Sequence, residues 1–471
     1  MKYKNIFSFA IGPILSAILG IVSLPIIAWY FPVSDIGRFS ILQLSISFSV
    51  LIYSLGLDQS FIREYSNSYN KPSTFISSYI LGLCLIITSG LVLFTFEPYL
   101  ISLFLYGISS IELSVLTYFS VIISYLNRFF SLVFRMENKG KLFSMVQFIP
   151  KLLTTLLIII TINFTSHTEF SLILYSFFSS SLITFIYICW NLRDFLCQQF
   201  KAKIDFSELK KMLVFGLPLV PGGLAVWALT AMDKYFLKDM VGFSELGIYS
   251  IAFSIASAAT ILGTVFNIIW APMVYNWING DNAHKKVNSV YNYMEFFCIV
   301  IICLVGMFSW LVPYLLPVGY EQVKILIPVL VLSPLLYTLS EVSSIGIGVT
   351  KRTHFAMLAS ILTAAINILG NYLLIPYFGA AGAAFSTVIS MFVYFILRTE
   401  FSSFLWGRVG TIKVYPLIIG IIIILLTGMY HPIYISPYAW ILYLIIYVYF
   451  KKYLFKDILS YIFNSLEKRN N

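Results

Sequence analysis

Apolar residues recur along this chain in blocks separated by short polar segments. Each block is about twenty residues long, the length at which an α-helix spans the roughly 30 Å hydrocarbon core of a bilayer. A membrane-spanning β-barrel would show short strands of alternating polarity instead. The pattern therefore predicts an all-α integral membrane protein.

The blocks predict about fourteen transmembrane helices. These spans cover residues 6–30, 39–57, 76–96, 112–134, 143–163, 170–191, 212–236, 247–270, 293–315, 324–348, 355–375, 380–397, 414–430 and 437–450. Of the 471 residues, 59% are hydrophobic and 11% are charged, whereas soluble domains carry about 25% charged residues. The polar segments between the blocks leave no room for a sizeable soluble domain.

The 30 Lys and Arg residues are distributed unevenly between the two sides of the predicted bundle. Most lie at one set of helix ends; the exceptions are Arg38, Lys234, Lys238 and Lys324 on the opposite side, and Arg128 and Lys151 inside spans. Because translocation disfavours basic residues in short loops, the basic side is expected to be cytoplasmic, with both termini on it. The net charge of +10 follows from this asymmetry and requires no nucleic-acid partner.

Two matches at nearly the same offset indicate an internal repeat. The octapeptide 34–41 recurs 210 residues later as 244–251 with four of eight positions identical, and a second match appears at an offset of 212. The residues of that second match are Lys139, Phe143 and Met145 against Lys351, Phe355 and Met357. Chance similarity between apolar stretches is the alternative. Six helices separate the copies, so a repeat of this kind would have an axis along the membrane normal.

The repeat predicts two pseudo-symmetric six-helix lobes followed by two extra helices. The N-terminal lobe would cover residues 1–192, a basic cytoplasmic linker 193–211, the C-terminal lobe 212–398, and the extra helices with a cytoplasmic tail 399–471. Rocking of two such lobes about a site between them is the physical basis of alternating access. Transport is therefore the leading functional hypothesis.

Four short motifs resemble a known family. They are Phe215-Gly216-Leu217-Pro218, the pair Asp233-Lys234, Gly247-Ile248-Tyr249-Ser250, and the turn at 379–384 with sequence Gly-Ala-Ala-Gly-Ala-Ala. This pattern is similar to the polysaccharide-transporter branch of the multidrug/oligosaccharidyl-lipid/polysaccharide exporter superfamily, and most similar to its Wzx-type O-antigen flippases.

The resemblance implies a function and a location. Such flippases move an undecaprenyl-pyrophosphate-linked oligosaccharide, the O-antigen repeat unit, from the cytoplasmic to the periplasmic leaflet of the bacterial cytoplasmic (inner) membrane. It implies a multi-pass protein whose partners are that lipid-linked glycan, membrane lipids and a polysaccharide polymerase machinery, as part of lipopolysaccharide biosynthesis.

Other functions stay open at this point. A drug or cation antiporter of the same superfamily would share the two-lobe frame, and an exporter of another polysaccharide precursor would share the motifs. A polymerase or lipid-using glycosyltransferase would carry a larger outer loop than any found here. A scaffold that transports nothing would have no reason to keep charged residues inside its spans.

Two cations inside the predicted spans are candidates for binding the substrate. Arg128 lies about seven residues from the cytoplasmic end of the fourth span and Lys151 about eight residues into the fifth, so both would be roughly 10–12 Å deep. Either could bind a pyrophosphate, and Arg is the better bidentate partner. Alternatively, each side chain reaches the cytoplasmic headgroups or pairs with a neighbouring helix.

Glu341 in the tenth span is a candidate for coupling. Adding the repeat offset of 212 to Arg128 gives position 340, so one lobe offers a cation where the other offers an anion. The hypothesis is that Glu341 binds H⁺ or Na⁺, or pairs with Arg128 or Lys151 when substrate is absent. The alternative is a structural carboxylate that neighbouring serines stabilise.

Four further residues are weaker candidates. Asp233 and Lys234 match the family pair and are assigned to substrate binding, although a local role near the helix end is the alternative. Asp58 and Arg63 lie at the inner end of the second span, where they would act in gating or contact headgroups.

Several chemistries lack any sequence signal. The chain contains no G-x-x-x-x-G-K-[ST] loop, so we expect no ATP hydrolysis by the chain itself. The four histidines lie far apart in the sequence and the five cysteines show no ligand spacing, so neither a metal site nor a cofactor is expected. The sequence predicts a transporter and not an enzyme.

Overall fold

The computed structural model describes residues 3–65, 68–164, 169–199, 202–277, 282–430 and 437–452. These segments are built from α-helices and short 3-10 turns and contain no β-strand. The chain forms two compact units, residues 1–254 and 255–471. His167, His431 and the predicted cytoplasmic tail beyond 452 lie outside the described residues.

Among the described residues of the first unit, twelve helices begin. They are α1 (Tyr3–Ala28), α2 (Val33–Ser54), α3 (Leu57–Glu64), α4 (Lys71–Phe96), α5 (Leu100–Tyr106), α6 (Ile111–Met136), α7 (Gly140–Phe164), α8 (Phe170–Asn191), α9 (Arg193–Gln199), α10 (Phe206–Gly216), α11 (Val220–Met240) and α12 (Phe243–Ala256). A 3-10 turn, Leu217–Leu219, joins α10 to α11. This turn contains Pro218, whose missing N–H removes one α-helical hydrogen bond.

The described part of the second unit contains the starts of seven helices. They are α13 (Ala258–Trp277), α14 (Ala283–Phe308), α15 (Val323–Ser343), α16 (Ile345–Val349), α17 (His354–Trp406), α18 (Val414–Tyr430) and α19 (Pro437–Phe450). A 3-10 segment, Ser309–Leu315, follows α14. The 53-residue α17 is interrupted at Gly379, where φ is 53° and ψ is −129°, so it is two helices joined at a sharp bend.

Each of the fourteen predicted spans overlaps one of these helices or two consecutive ones. By length and apolarity, eight described helices are able to cross a membrane, or nine if the pair Phe243–Ala256 and Ala258–Thr264 is counted as one span. The all-helical membrane architecture is confirmed. The division into two lobes and two extra helices, and the count of fourteen, stay predictions.

Side-chain caps explain where several helices begin. The Asn70 side chain accepts from the Ser73 backbone N–H at the start of α4, and Ser110 accepts from Leu113 N–H at the start of α6. Asp205 caps α10 by accepting from two backbone N–H groups. A capping oxygen satisfies N–H groups that have no partner inside the helix, which fixes each start at the polar residue.

An aromatic cluster holds the inner part of the first unit together. Phe75 of α4 contacts Phe61, which lies on α3, and Phe130 of α6, with ring centroids 5.6 and 5.1 Å apart. Tyr125 and Phe129 of α6 are fully buried beside them. Offset and edge-on contacts of this kind are favourable beyond the area they bury. The cluster therefore fixes α3 against α4 and α6.

The basic segment 193–211, predicted as a loop that joins two lobes, is largely helical in its described part. It contains the short helix α9 and the first turns of α10. Polar contacts fix it to α4: Ser73 Oγ donates to the Lys203 carbonyl at 2.7 Å and Thr74 Oγ1 donates to Glu208 Oε1 at 2.6 Å. Its role as a linker between lobes stays a prediction.

Candidate functional site

The central feature of the first unit is an ion pair between α6 and α3. Arg128 Nη2 lies 2.8 Å from Asp58 Oδ2. Arg128 occurs within a helix that is long and apolar enough to span a membrane. The structure thus brings together one residue assigned to substrate binding and one assigned to gating.

A glycine contact positions Asp58. The chain leaves α2 through Leu55 and Gly56, both in the left-handed region with φ of 51° and 72°, and turns directly into α3. A methyl group on Gly56 would overlap the backbone of Gly216 at the end of α10. The two backbones can therefore pack this closely only because residue 56 is a glycine. Ser60 Oγ donates across the same contact to the Met212 carbonyl at 2.7 Å.

The two partners differ in their exposure. The Arg128 side chain is 43% exposed, whereas the Asp58 side chain is 12% exposed. Asp58 also accepts from Gln59 Nε2 at 3.2 Å. A guanidinium with five donors keeps several N–H groups free when one binds a carboxylate oxygen. Arg128 can therefore donate hydrogen bonds to an incoming anion before its ion pair with Asp58 breaks.

Lys151 lies on α7 and contacts α1. Its Nζ donates to the Ser16 carbonyl at 3.0 Å, and it passes beside Gly20, where a methyl group would come within 3.3 Å of Nζ. Within the described part of the chain, no carboxylate lies within 4.0 Å of Nζ. The structure thus places Lys151 on the contact between α7 and α1.

Asp233 and Lys234 make different contacts. The Asp233 carboxylate is buried and accepts from the Tyr249 hydroxyl at 2.8 Å. Lys234 Nζ lies 4.8 Å from the centre of the Phe253 ring, a cation–π contact. Two of the family-like motifs, the Asp-Lys pair and the segment that contains Tyr249, therefore touch each other and join α11 to α12.

A third family-like motif contacts α3. The guanidinium of Arg63 stacks over the ring of Phe215 at 4.4 Å from its centre. Its side chain is 58% exposed, and its ion pair with Glu64 is long at 3.5 Å. Arg63 thus lies at the edge of the α3–α10 contact, where a headgroup or gating role stays a prediction.

In the second unit, Glu341 of α15 is paired with Arg398 of α17. Arg398 Nη1 donates to Glu341 Oε1 and also to Ser340 Oγ at 3.3 Å, and the guanidinium lies over the Tyr394 ring at 5.2 Å. Arg398 is only 12% exposed and Glu341 is 23% exposed. The partner of Glu341 in this conformation is therefore Arg398, a residue that the sequence analysis had placed at the cytoplasmic end.

Two charged residues were not among the predicted site residues. Arg398 lies one residue past the predicted end of the twelfth span at 397, whereas α17 continues to Trp406. Glu295 on α14 is fully buried and paired with Lys451, just beyond the end of α19, at 3.0 Å. A charge at the edge of an apolar block or inside it was the signal for both.

The two copies of the first repeat match touch each other. A methyl group on Gly37 of α2 would overlap the Phe243 carbonyl at the start of α12, and one on Gly247 would overlap the Val33 carbonyl. Gly37 and Gly247 are equivalent positions of the repeat, 210 residues apart. The contact is therefore reciprocal, as a two-fold relation between repeated segments requires.

The described side chains offer no group of three or more His, Cys, Asp and Glu that could hold a metal ion. Charged pairs are present instead: Arg128 of the span α6 pairs with Asp58 of the short helix α3 in the first unit, and Glu341 of α15 pairs with Arg398 of α17 in the second. Fold and site together define a multi-pass, all-helical membrane protein whose spans contain paired charges.

Comparison with known families then identifies the chain more closely. It matches the family model of the polysaccharide biosynthesis protein over residues 3–276, more than half of its length, and it belongs to that family. No curated protein sequence matches it.

Solved structures share the fold. The chain is similar to the lipid II flippase MurJ in its inward closed conformation, with a TM-score of 0.59 and 19% identity over 93% of this chain and 98% of that one. It is also similar to a multidrug resistance MATE family transporter of the MOP superfamily. The inward-facing form gives a TM-score of 0.55 and 15% identity over 86% of this chain and 94% of that one. The outward-facing form gives 0.52 and 17% over 85% and 95%.

Proposed function

We propose that this protein is a flippase that moves an undecaprenyl-pyrophosphate-linked oligosaccharide, the O-antigen repeat unit, from the cytoplasmic to the periplasmic leaflet of the bacterial inner membrane. The observation that carries the proposal is the Arg128–Asp58 pair, with a partly exposed arginine in a membrane-spanning helix. Family membership supports it, because the family is one of polysaccharide biosynthesis.

The pair solves the main physical problem of such a reaction. A charged group in hydrocarbon costs several kcal/mol or more unless it is paired. A pyrophosphate that replaces Asp58 on Arg128 leaves the arginine paired before, during and after the exchange. Arginine also matches phosphate geometry through parallel N–H···O bonds. Asp58 would therefore hold Arg128 ready in the empty protein and take it back on release.

The polar glycan and the lipid chain have different requirements. The glycan needs a water-filled or polar path, whereas the chain can stay in hydrocarbon during the movement. Alternating access of the two repeats would supply that path, and the reciprocal contact of Gly37 and Gly247 gives the repeats a defined point of closure. Lys151, Asp233 and Lys234 remain proposed secondary substrate contacts.

We further propose that the movement is coupled to H⁺ or Na⁺ at Glu341, with no other cofactor. Binding of either ion would weaken the pair with Arg398 and so change the contact between α15 and α17. A carboxylate that exchanges an arginine for a small cation is a two-state element of the kind that coupling requires. Membrane lipids and a polysaccharide polymerase machinery are the proposed partners, and no nucleic acid is among them.

The fold shared with multidrug transporters supports a second candidate, a drug or cation antiporter. That function would need a carboxylate available to an organic cation, and Asp58 is the candidate if Arg128 releases it. An exporter of a different polysaccharide precursor would use the same arginine. The three candidate functions are distinguished by which substrate the protein transports in the vesicle assay.

The test is outward movement in reconstituted vesicles. Purified protein is placed in liposomes that contain undecaprenyl-pyrophosphate-linked oligosaccharide with a fluorescent sugar, and a membrane-impermeant quencher reports the accessible leaflet. We expect transport by the wild type and a loss of about tenfold or more in Arg128→Ala, since a hydrogen bond to a charged group contributes about 1.5–3 kcal/mol. Arg193→Ala is the matched control, because that side chain is 66% exposed and lies outside the site.

Two results would overturn the proposal. One is transport of an organic cation by the wild type with no movement of the lipid-linked sugar, which would establish the antiporter. The other is movement of the lipid-linked sugar at equal rates in the wild type and Arg128→Ala, which would remove the arginine from the mechanism.

A further inference from the structure

A cavity of about 350 Å³ lies within the first unit. Its walls come from α2, α4, α5 and α6, with Tyr235 of α11 at one side. Aliphatic and aromatic side chains such as Phe48, Leu93 and Val121 form most of its surface, and none of its lining residues is charged. The cavity therefore suits a ligand segment without charge.

Several of the hydroxyl groups in its wall are already hydrogen-bonded within the protein. Tyr53 OH and Ser89 Oγ share a hydrogen bond of 2.8 Å, Tyr118 OH donates to the Ile86 carbonyl at 3.1 Å, and Thr117 Oγ1 donates to the Leu113 carbonyl at 2.7 Å. A polar ligand would have to break these bonds, at a cost of about 1–3 kcal/mol for each group left unpaired. A hydrocarbon segment enters without that cost.

The cavity and the ion pair lie on the same helices. Val121 precedes Arg128 by seven residues on α6, a rise of about 10 Å. On the neighbouring wall, Tyr53 near the end of α2 precedes Asp58 by five residues. The cavity would therefore lie about 10 Å from an anion bound at Arg128, toward the N-terminal end of α6.

From this placement we infer that the cavity binds the polyprenyl chain of the substrate while Arg128 holds its pyrophosphate. The inference rests on the proposed function. It commits to the polyprenyl chain because that chain is covalently continuous with the anion at Arg128, so binding the head directs the tail to the cavity. A bulk phospholipid also joins its chains to a phosphate, but that phosphodiester carries one negative charge where a substituted pyrophosphate carries two, so we expect it to compete less well for Arg128.

Photolabelling of the reconstituted protein tests this. The probe is a polyprenyl pyrophosphate without glycan that carries a diazirine a few isoprene units from the pyrophosphate, in vesicles of phosphatidylethanolamine and phosphatidylglycerol. After illumination, labelled peptides are mapped by mass spectrometry. In the wild type we expect the label on the α2, α4 and α6 residues that line the cavity, and unlabelled polyprenyl pyrophosphate should compete with it.

Filling the cavity should remove the label. Val121→Phe from α6 and Ser45→Leu from α2 each add volume inside, and we expect at least about a fivefold loss of cavity labelling in both, since packed interiors leave no alternative space. Ile111→Phe is the matched control, because Ile111 lies on the same helix with 45% exposure. Thermal melting of each variant verifies folding, and two independent filling variants guard against one that fails to fold.

Three outcomes would overturn the inference. The first is label spread over lipid-facing helices without enrichment in the cavity, and the second is cavity labelling that persists in both folded filling variants. The third is equal cavity labelling by a phospholipid with a diazirine in its acyl chain that polyprenyl pyrophosphate does not displace; this result would assign the cavity to bulk lipid. A failure of the flippase proposal is distinguishable from these outcomes, because the protein would then fail to transport the lipid-linked sugar while cavity labelling stayed unchanged.

Discussion

At the scale of single residues, two arginine–carboxylate pairs carry the proposed mechanism. Arg128 is paired with Asp58, and Glu341 is paired with Arg398. Removing one partner of a buried pair such as Glu341–Arg398 usually destabilises a protein by about 3–5 kcal/mol, and removing one partner of a partly exposed pair such as Arg128–Asp58 costs less. Exchange for another ion of the same sign keeps the remaining charge paired. Exchange is thus the route by which such pairs take part in transport.

Substitution of Asp58 tests the exchange. Asp58→Asn keeps the shape of the side chain but removes the charge that competes for Arg128. We expect a three- to tenfold gain in affinity for polyprenyl pyrophosphate, roughly the low end of a charged hydrogen bond because Arg128 is partly exposed. Turnover should fall at the same time, since release needs the carboxylate back. Binding is measured by titration and turnover by the vesicle assay.

The control for this variant is Asp194→Asn, which removes an exposed carboxylate near Arg193 at 3.7 Å. It should change neither affinity nor turnover. A lower affinity in a folded Asp58→Asn protein would contradict the exchange, because it would show that Asp58 assists binding and does not compete with it.

Substitution of Glu341 tests coupling. Glu341→Gln retains a hydrogen-bond acceptor for Arg398 and removes the group that would bind H⁺ or Na⁺. We predict that an imposed proton or sodium gradient no longer stimulates transport, while substrate binding is unchanged within about twofold. Glu400→Gln is the control, because Glu400 lies on α17 with Arg398 but is paired with Arg408. Full stimulation of the Glu341→Gln protein would remove the coupling role.

Arg128 and Glu341 could be predicted as site residues because a charge inside an apolar block is costly and therefore informative, and Asp58 because it follows the end of such a block. It could not assign their partners, because an ion pair depends on which helices are neighbours. Asp58 and Arg128 are 70 positions apart, and nothing local connects them. Arg398 was placed at a helix end because the boundary of a span predicted from hydrophobicity is uncertain by several residues.

At the scale of helices, the reciprocal glycine contact between α2 and α12 is the feature that the repeat explains best. The sequence predicted equivalence of the two segments, and the structure shows that they meet. A backbone carbonyl can lie this close to a residue only where that residue has no side chain, so each half of the contact depends on its own glycine.

Adding a methyl group tests the contact. Gly37→Ala and Gly247→Ala each place a carbon atom where the other helix has a carbonyl oxygen. We expect a destabilisation of about 1–3 kcal/mol for the closed contact, and hence a fall in transport of about fivefold or more. Transport rate and melting temperature are the two measurements.

Gly222→Ala is the control, because nothing lies within 4 Å of a methyl group there. It should leave transport and melting temperature unchanged. Wild-type transport in both Gly37→Ala and Gly247→Ala would show that the repeats do not use this contact during the cycle.

Helix positions followed from the sequence more closely than their connections did. The spans predicted at 143–163 and 170–191 agree with α7 and α8 to within a few residues, because each is a long apolar block between polar segments. The basic segment 193–211 contains helix where a loop was predicted, because its capping residue Asp205 and its contacts to α4 outweigh its polarity. Tertiary contacts of this kind are not visible in a local pattern.

At the scale of the whole molecule, composition was sufficient to predict an all-helical membrane protein, and the short motifs were sufficient to suggest its superfamily. Hydrocarbon forces every backbone group to be paired, which leaves few architectures to choose from. The substrate is a separate matter, because related folds carry different cargo and only the site distinguishes them. O-antigen specificity thus rests on the proposal and on experiments.

The most direct measurement is the location of the lipid-linked oligosaccharide in a host that lacks this gene, with a probe that reaches only the outer leaflet. We predict that the precursor is trapped in the inner leaflet and that surface polysaccharide is lost. The wild-type gene should restore both and Arg128→Ala should restore neither. Normal delivery to the outer leaflet in the deletion strain, with no second flippase present, would contradict the proposed function.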